Sequence, residues 1–159
     1  GDPGYERILL PRPRPAVVMP VEDVARTGVV TARGDQSAGN LATVMTAEGV
    51  GSVVVVDEKD RPVGIVTDRD LVVAVLEPRL DPTEVTANDL MTETLVTVET
   101  GDGILDATST MSEHGVRRLP VVGADGMLAG MLTLDDLTRL FATELDDLAA
   151  VIEAESPAY

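Results

Sequence analysis

Cysteine is absent from the 159 residues, which excludes disulfides, thiolate metal sites and a cysteine nucleophile together. Histidine is nearly absent too. The single His114, set at a helix end before Gly115, excludes a histidine-rich metal centre and leaves no nucleophile–histidine pairing to build on. Basic side chains are scarce: twelve Lys and Arg, among which Lys59 is the one lysine, stand against twenty-eight Asp and Glu, for a formal net charge of −16. Generic nucleic-acid affinity comes from cations displacing counterions, so no nucleic-acid partner is expected. No apolar run approaches the roughly 18 residues of a membrane span, and the start of the chain lacks the basic, apolar and small-residue regions of a signal peptide. These absences give the expectation of a cytoplasmic chain with no membrane partner. A glycine-rich phosphate loop is missing as well, and adjacent carboxylates such as Asp135-Asp136 and Asp146-Asp147 are expected in so acidic a chain as solvated surface rather than metal ligands. Neither an enzyme nor a metal site is therefore expected.

What the chain does have is 44% hydrophobic residues, enough for a packed core, and a sequence that repeats itself. Shifted by 66 positions without a gap, residues 23–76 superpose on 89–142. The identities are Asp23/Asp89, Val30/Val96, Thr31/Thr97, Met45/Met111, Gly49/Gly115, Val50/Val116, Val55/Val121, Val56/Val122, Gly64/Gly130, Thr67/Thr133, Asp70/Asp136 and Leu71/Leu137. They fall at element ends and core positions, as expected of a tandem duplication.

Within each copy the pattern predicts strand, helix, strand, strand, helix, hence an α+β fold. In the first copy the β-branched residues 29–31 form a short strand, and Asp35 or Ser37 caps a helix whose Leu41, Val44 and Met45 make one stripe ended by Gly49. The valine run 52–56 reads as a strand buried on both faces, 58–60 as a polar turn, and 62–66 as the hairpin partner. The second copy repeats this with strands at 95–98, 119–122 and 128–132 around a helix that starts at Asp102. Residues 1–19, with five prolines among or just after them and arginines between, read as an arm. Residues 20–77 are the first repeat, 78–88 a linker, and 89–143 the second repeat; 144–159 extend the last helix. That helix carries a stripe of Leu137, Leu140, Phe141, Leu145, Leu148, Val151 and Ile152, whose distal part outruns the core of so small a module. A partner helix from a second copy, giving a homodimer, is the expected cover; folding back onto its own repeat is the alternative.

Each copy closes on Gly-apolar-apolar-Thr-x-x-Asp-Leu, at 64–71 and again at 130–137. A hydroxyl and a carboxylate three residues apart at a helix start are a capping box, a ligand site, or both. Together with the duplicated unit and with Arg118-Leu119-Pro120-Val121-Val122 in the second copy, this motif resembles the cystathionine-beta-synthase (CBS) domain pair, or Bateman module, over about residues 20–143.

The resemblance implies tandem CBS repeats packed as a pseudo-two-fold pair with an extended C-terminal helix. It also implies a regulatory module that binds AMP, ADP, ATP or S-adenosylmethionine, optionally with Mg, and signals to an effector protein; no cofactor is required. Asp70 and Asp136 would hold ribose hydroxyls, Thr67 and Thr133 ribose or phosphate, and backbone near Val30-Thr31 and Val96-Thr97 the adenine edge. It further implies that phosphates of one repeat's ligand meet the other repeat. The Thr67/Asp70 pocket would then receive Arg117 and Arg118, and the Thr133/Asp136 pocket only the uncharged Gly51 and Ser52. By the same logic Arg69 would point to the second pocket and Asp135 to the first, so the first pocket is expected to suit an anionic tail better. A structural or oligomerisation module with vestigial pockets is the alternative function.

The dense carboxylates carry one further expectation, adaptation to high salt, where screening suppresses their mutual repulsion. Unfolding midpoints across a KCl series should rise with salt; a maximum in dilute buffer would overturn it.

Overall fold

The computed structural model describes residues 19–92 and 94–155; the arm expected over 1–19 lies, apart from Met19, outside the described residues. Two three-stranded sheets of the same topology make up the framework. In the first, β1 (Thr31–Arg33) lies parallel to β2 (Ser52–Val56), which is antiparallel to β3 (Pro62–Thr67). The parallel step requires a crossover, and α1 (Ala38–Glu48) supplies it, with Ser37 rather than Asp35 as its cap: the Asn40 N–H donates to Ser37 Oγ at 3.1 Å. Gly49 then ends the helix in the left-handed conformation at φ 64°. Beyond β3 the chain runs through the single turn α2 (Asp68–Leu71) into a π-helical turn, Val72–Leu76, and on to α3 (Ala87–Leu90). The second sheet repeats the plan with β4 (Val98–Glu99), α4 (Ile104–His114), β5 (Arg118–Val122) and β6 (Leu128–Thr133), and α5 (Leu134–Glu155) closes the chain.

The first strand of each repeat starts later than its valines suggest. Gly28, at φ 69°, turns the chain just before Val29. Val29 then packs at the seam between the sheets and Val30 against the first core, so only Thr31, Ala32 and Arg33 come into register beside Val54, Val55 and Val56. In the second repeat β4 is only two residues long. The Asp102 carboxylate accepts the Glu99 N–H at 2.8 Å and ends the strand, and Gly103, not Asp102, takes the cap position of α4.

Two cores form, each with a contribution from the opposite end of the pair. The second repeat packs Val98, Ile104, Met111, Leu119, Leu132 and Leu137 around Val21, which precedes the first repeat's own sheet. The first repeat packs Leu41, Met45, Val53, Val55 and Val66 around Ala87, with Leu90 and Met91 against it. A third cluster of Val54, Val56 and Met131, flanked by Val29, Ile65 and Leu128, joins the two sheets. The segment leading into each repeat is thus laid on the other repeat.

Glycine makes this crossing possible. Arg26 and Met131 exchange two backbone hydrogen bonds of 2.9 Å beside Gly130, where an added Cβ would stand 2.7 Å from the Arg26 carbonyl oxygen. At the corresponding point in the first repeat, a Cβ on Gly64 would meet the Met91 side chain at 2.5 Å. The missing side chain lets another backbone lie on the closing strand at Gly130 and makes room for the Met91 side chain at Gly64.

Among the described residues no helix is long and apolar enough to cross a membrane. The far half of α5 leaves the core: Leu137 is buried, Leu140 and Phe141 are partly covered, but Leu145, Leu148 and Val151 are 66%, 62% and 56% exposed.

Gly130→Ala should lower the melting temperature by several degrees, an overpacking cost of about 1–3 kcal/mol. Gly101→Ala, whose Cβ would meet nothing within 4 Å, should leave it within about a degree. Equal melting temperatures for the two variants would remove the crossing from the account.

Candidate ligand site at the seam of the two repeats

The closing strands β3 and β6 each end on a threonine that starts a helix, so both copies of the motif become helix caps. At the end of β3 the Asp70 N–H donates to Thr67 Oγ1 at 3.2 Å, and the Thr67 N–H donates to Asp70 Oδ2 at 2.8 Å, a complete capping box. At the end of β6 only half of that exchange remains. The Asp136 N–H donates to Thr133 Oγ1 at 3.1 Å, but the Asp136 carboxylate faces a different partner.

That partner is Arg26. Its Nε donates to both carboxylate oxygens at 3.0 and 3.1 Å, and its Nη2 donates to Oδ1 at 2.7 Å. The Asp136 side chain is one-tenth exposed while that of Arg26 is 60% exposed, so the pair sits at the rim with its acid inside. The guanidinium hydrogen bonds hold the Asp136 carboxyl below its usual range against the opposing effect of burial, with the Thr133 contact and the more distant Arg139 adding to the lowering. Asp136 in turn raises Arg26.

Each cap opens on a cavity built from both repeats. The first, about 270 Å³, is lined by Ile65, Thr67 and Asp70 from one repeat and by Thr92, Thr94, Leu95, Val96, Val116, Arg117 and Arg118 from the other. The second, about 370 Å³, is lined by Met131, Thr133 and Asp135 with Arg26, Thr27, Gly28, Val29, Val30, Val50 and Ser52. Eight of the ten residues lining the first have their counterpart 66 positions away in the second; Asp70 and Arg117 are the exceptions. The crossing of the leading segments produces this arrangement: a leading segment laid over the opposite closing strand necessarily faces the opposite cap.

The structure brings Thr67, Asp70, Val96, Arg117 and Arg118 together in the first cavity, and Val30, Ser52 and Thr133 in the second; Asp136 does not line the second cavity and adjoins it only through its pair with Arg26, which does. Thr31 and Thr97 lie elsewhere. Both are exposed; Thr31 lines a separate space of about 300 Å³ with Asp60 and Met127 at the seam, and Thr97 is outside the first cavity. Three expectations about charge are corrected. Arg69 is exposed and does not line the second cavity, and Asp135 lines the second, facing the first repeat beside its own cap, rather than the first. The second cavity is also not without a cation, since Arg26 lines it. The first cavity has Arg117 and Arg118, yet among the described residues no ion pair reaches Asp70; Arg117 instead approaches Asp135 at 3.8 Å, with both side chains about 70% exposed.

Arg26 was missed because its position-66 counterpart is Thr92, so it carries no repeat identity. Its being the one arginine between 15 and 32, just ahead of Gly28-Val29-Val30, was the available signal. His114 does no more than end α4, its Nδ1 lying 3.0 Å from the Thr110 carbonyl. Among the described residues no group of three or more His, Asp or Glu is placed to hold a metal ion.

Comparison with known proteins bears on the whole arrangement. The family model of the CBS domain matches twice, at residues 21–77 and 87–143. An uncharacterized protein of Methanopyrus kandleri is 41% identical over 120 residues, 76% of this chain and 61% of that protein. Hypoxic response protein 1 of Mycobacterium tuberculosis is 31% identical over 117 residues, 74% of this chain and 81% of its own length. The chain thus spans less than two thirds of the Methanopyrus relative, and only 45% of an uncharacterized Methanocaldococcus jannaschii protein to which it is 27% identical. Among solved structures, hypoxic response protein I with two coordinated zinc ions superposes with a TM-score of 0.68 at 30% identity, covering 76% of this chain and 97% of that one. A CBS domain pair in complex with 5′-methylthioadenosine and S-adenosyl-L-methionine superposes with a TM-score of 0.71 at 24% identity, covering 80% and 98%. With two family matches that coincide with its two sheets and their helices, the chain belongs to the CBS domain family as a tandem CBS pair.

Proposed function

We propose that this CBS pair is a non-catalytic regulatory module that binds an adenosine-containing ligand, an adenine nucleotide or S-adenosylmethionine, in the cavities at its seam and passes their occupancy to an effector protein. The observation that carries this reading is the pairing of each Thr-x-x-Asp cap with a cavity walled by the opposite repeat. A ribose offers two adjacent hydroxyl donors, and a carboxylate accepts both; the acceptors are Asp70, which lines the first cavity, and Asp136, which adjoins the second through Arg26. Val30, Val50 and Met131 in one cavity, and Ile65, Val96 and Val116 in the other, supply apolar faces for a purine. Arg117 and Arg118, or Arg26, supply the charge for an anionic tail, with Mg as an optional companion. A related fold that holds 5′-methylthioadenosine and S-adenosyl-L-methionine supports the ligand class. Because each cavity has walls from both repeats, a ligand favours whichever relative orientation of the repeats closes on it, and a partner that reads this orientation feels a coupling on the order of 1–3 kcal/mol.

Titrating AMP, ADP, ATP and S-adenosylmethionine by calorimetry, with melting temperature in parallel, should reveal binding by at least one of them and a ligand-dependent rise in stability. Asp70→Asn and Asp136→Asn, which keep a capping side chain but lose the charge, should each weaken binding at their cavity by about tenfold or more. Silence for all four ligands ends the sensor reading; unaltered affinity in both variants ends the site assignment.

The second reading, an oligomerisation module, is favoured by the exposed stripe Leu145, Leu148 and Val151 on α5, and by an apolar groove of about 690 Å³ on the first repeat lined by Met45, Leu71, Val72 and Leu76, where Val72 and Leu76 are exposed. A homodimer covers such surfaces most simply. Ending the chain after Leu145 should halve the mass measured by light scattering while leaving ligand affinity intact; an unchanged mass removes α5 from the interface.

A further inference from the structure

We propose that Arg26 is a counter-ion latch that makes the second cavity accept a ribose only together with an anionic group such as a phosphate. The inference rests on the reading that Asp136 holds a ribose. In the structure both oxygens of that carboxylate are already taken by Arg26 Nε and Nη2, at 2.7–3.1 Å. Oδ1 already accepts two donors and Oδ2 one, so of about four lone-pair sites one is open, and a second ribose hydroxyl binds only by displacing an Arg26 donor.

The backbone of Arg26 cannot yield, because its N–H and C=O are both tied to Met131 at 2.9 Å over Gly130. Only the side chain can swing, and at 60% exposure it has room to do so. A neutral nucleoside would replace a guanidinium by uncharged hydroxyl donors, losing the attraction between opposite charges, and would leave a carboxylate that is one-tenth exposed without its adjacent cation. A ligand that brings its own anion into the cavity changes the outcome, since Arg26 lines that cavity and exchanges one anion for another. The other polar groups there do not provide this exchange. Thr27, Ser52 and Thr133 are uncharged, and Asp135 repels an anion, partly offset by Arg117 at 3.8 Å.

The first cavity provides the internal contrast. Thr92 stands where Arg26 stands in the second, Asp70 is held only in its capping box, and no cation must leave before a ribose arrives. It should accept adenosine and AMP with much less discrimination.

Two lining residues of different type report on the cavities, the Ile65 methyl on the first and the Met131 methyl on the second; because both pack in the seam cluster, a site is assigned by the midpoint of its titration and not by the mere occurrence of a shift. AMP and adenosine are titrated into the wild type, Arg26→Gln and Arg26→Lys, and followed by methyl NMR. In the wild type Met131 should respond to AMP at a concentration at least about tenfold lower than to adenosine. In Arg26→Gln the two affinities at Met131 should move in opposite directions, AMP weakening about tenfold and adenosine tightening severalfold, while both Ile65 titrations stay as they were. Arg26→Lys, which keeps the cation without the fork, should retain AMP within a few fold. Affinities at Met131 that move together, or do not move, overturn the latch; so does a Lys variant that loses AMP as fully as the Gln variant. If Met131 answers neither ligand in any of the proteins, the ribose reading of the second cavity falls and the latch with it, while Ile65 still tells whether the module binds nucleosides at all.

Discussion

The close passage of a backbone over a glycine is the constraint on which the rest of this structure depends. At Gly130 the segment 25–26 lies so near the closing strand that a methyl group would stand 2.7 Å from a carbonyl oxygen. Because that segment leads into the first repeat while the strand ends the second, the crossing stitches the two repeats together. It carries Val21 into the far core and places Arg26 against a carboxylate from the other repeat. At Gly64 the Met91 side chain, rather than a backbone, fills the space over the glycine, and the arrangement closes in the opposite sense. Two modules that merely sat side by side would have one wall per cavity; exchanged leading segments give each cavity two.

The Thr-x-x-Asp motif can be a cap and a candidate ligand site at once because the two demands fall on different atoms. Threonine Oγ1 takes the helix N–H in both copies. The aspartate carboxylate is then disposable: in one copy it turns back to complete the capping box, in the other it turns outward to Arg26. A complete box is worth about 1 kcal/mol, and the Arg26 pair is weakened by solvent around a cation that is 60% exposed, so either state is within reach of a ligand's hydrogen bonds.

How much of this was legible in the sequence depends on the range of the interaction concerned. The valine run 53–56, the stripe of α1 and the glycine that ends it in the left-handed region declare themselves within a dozen residues, and the offset of 66 fixes the architecture by repeating them. The first strands were misplaced by two or three residues because Val29 and Val30, strand formers by type, serve the seam and the core, a tertiary use that local preference does not record. The choice of Ser37 over Asp35 turned on geometry alone. Arg26 carries only a weak signal, its isolation among neighbouring residues, because its partner is 110 residues away and the repeat pairs it with a threonine.

The charge placements also decide how far the two cavities can influence each other. Arg117 lines the first cavity while approaching Asp135 of the second at 3.8 Å, which suggests electrical coupling. Both side chains are about 70% exposed, however, and ion pairs in that setting are worth well under about 1 kcal/mol in physiological salt. The backbone route is stronger. Any shift of the segment at Arg26 moves Met131, which belongs to the seam cluster with Val54 and Val56, and these lie beside β1 and β3 of the repeat that carries Asp70. That path consists of packed, fully desolvated side chains and paired strands, which shift together rather than deform one by one. The packed seam is therefore the stiffer of the two connections between the cavities, and the exposed charges add only a salt-sensitive one.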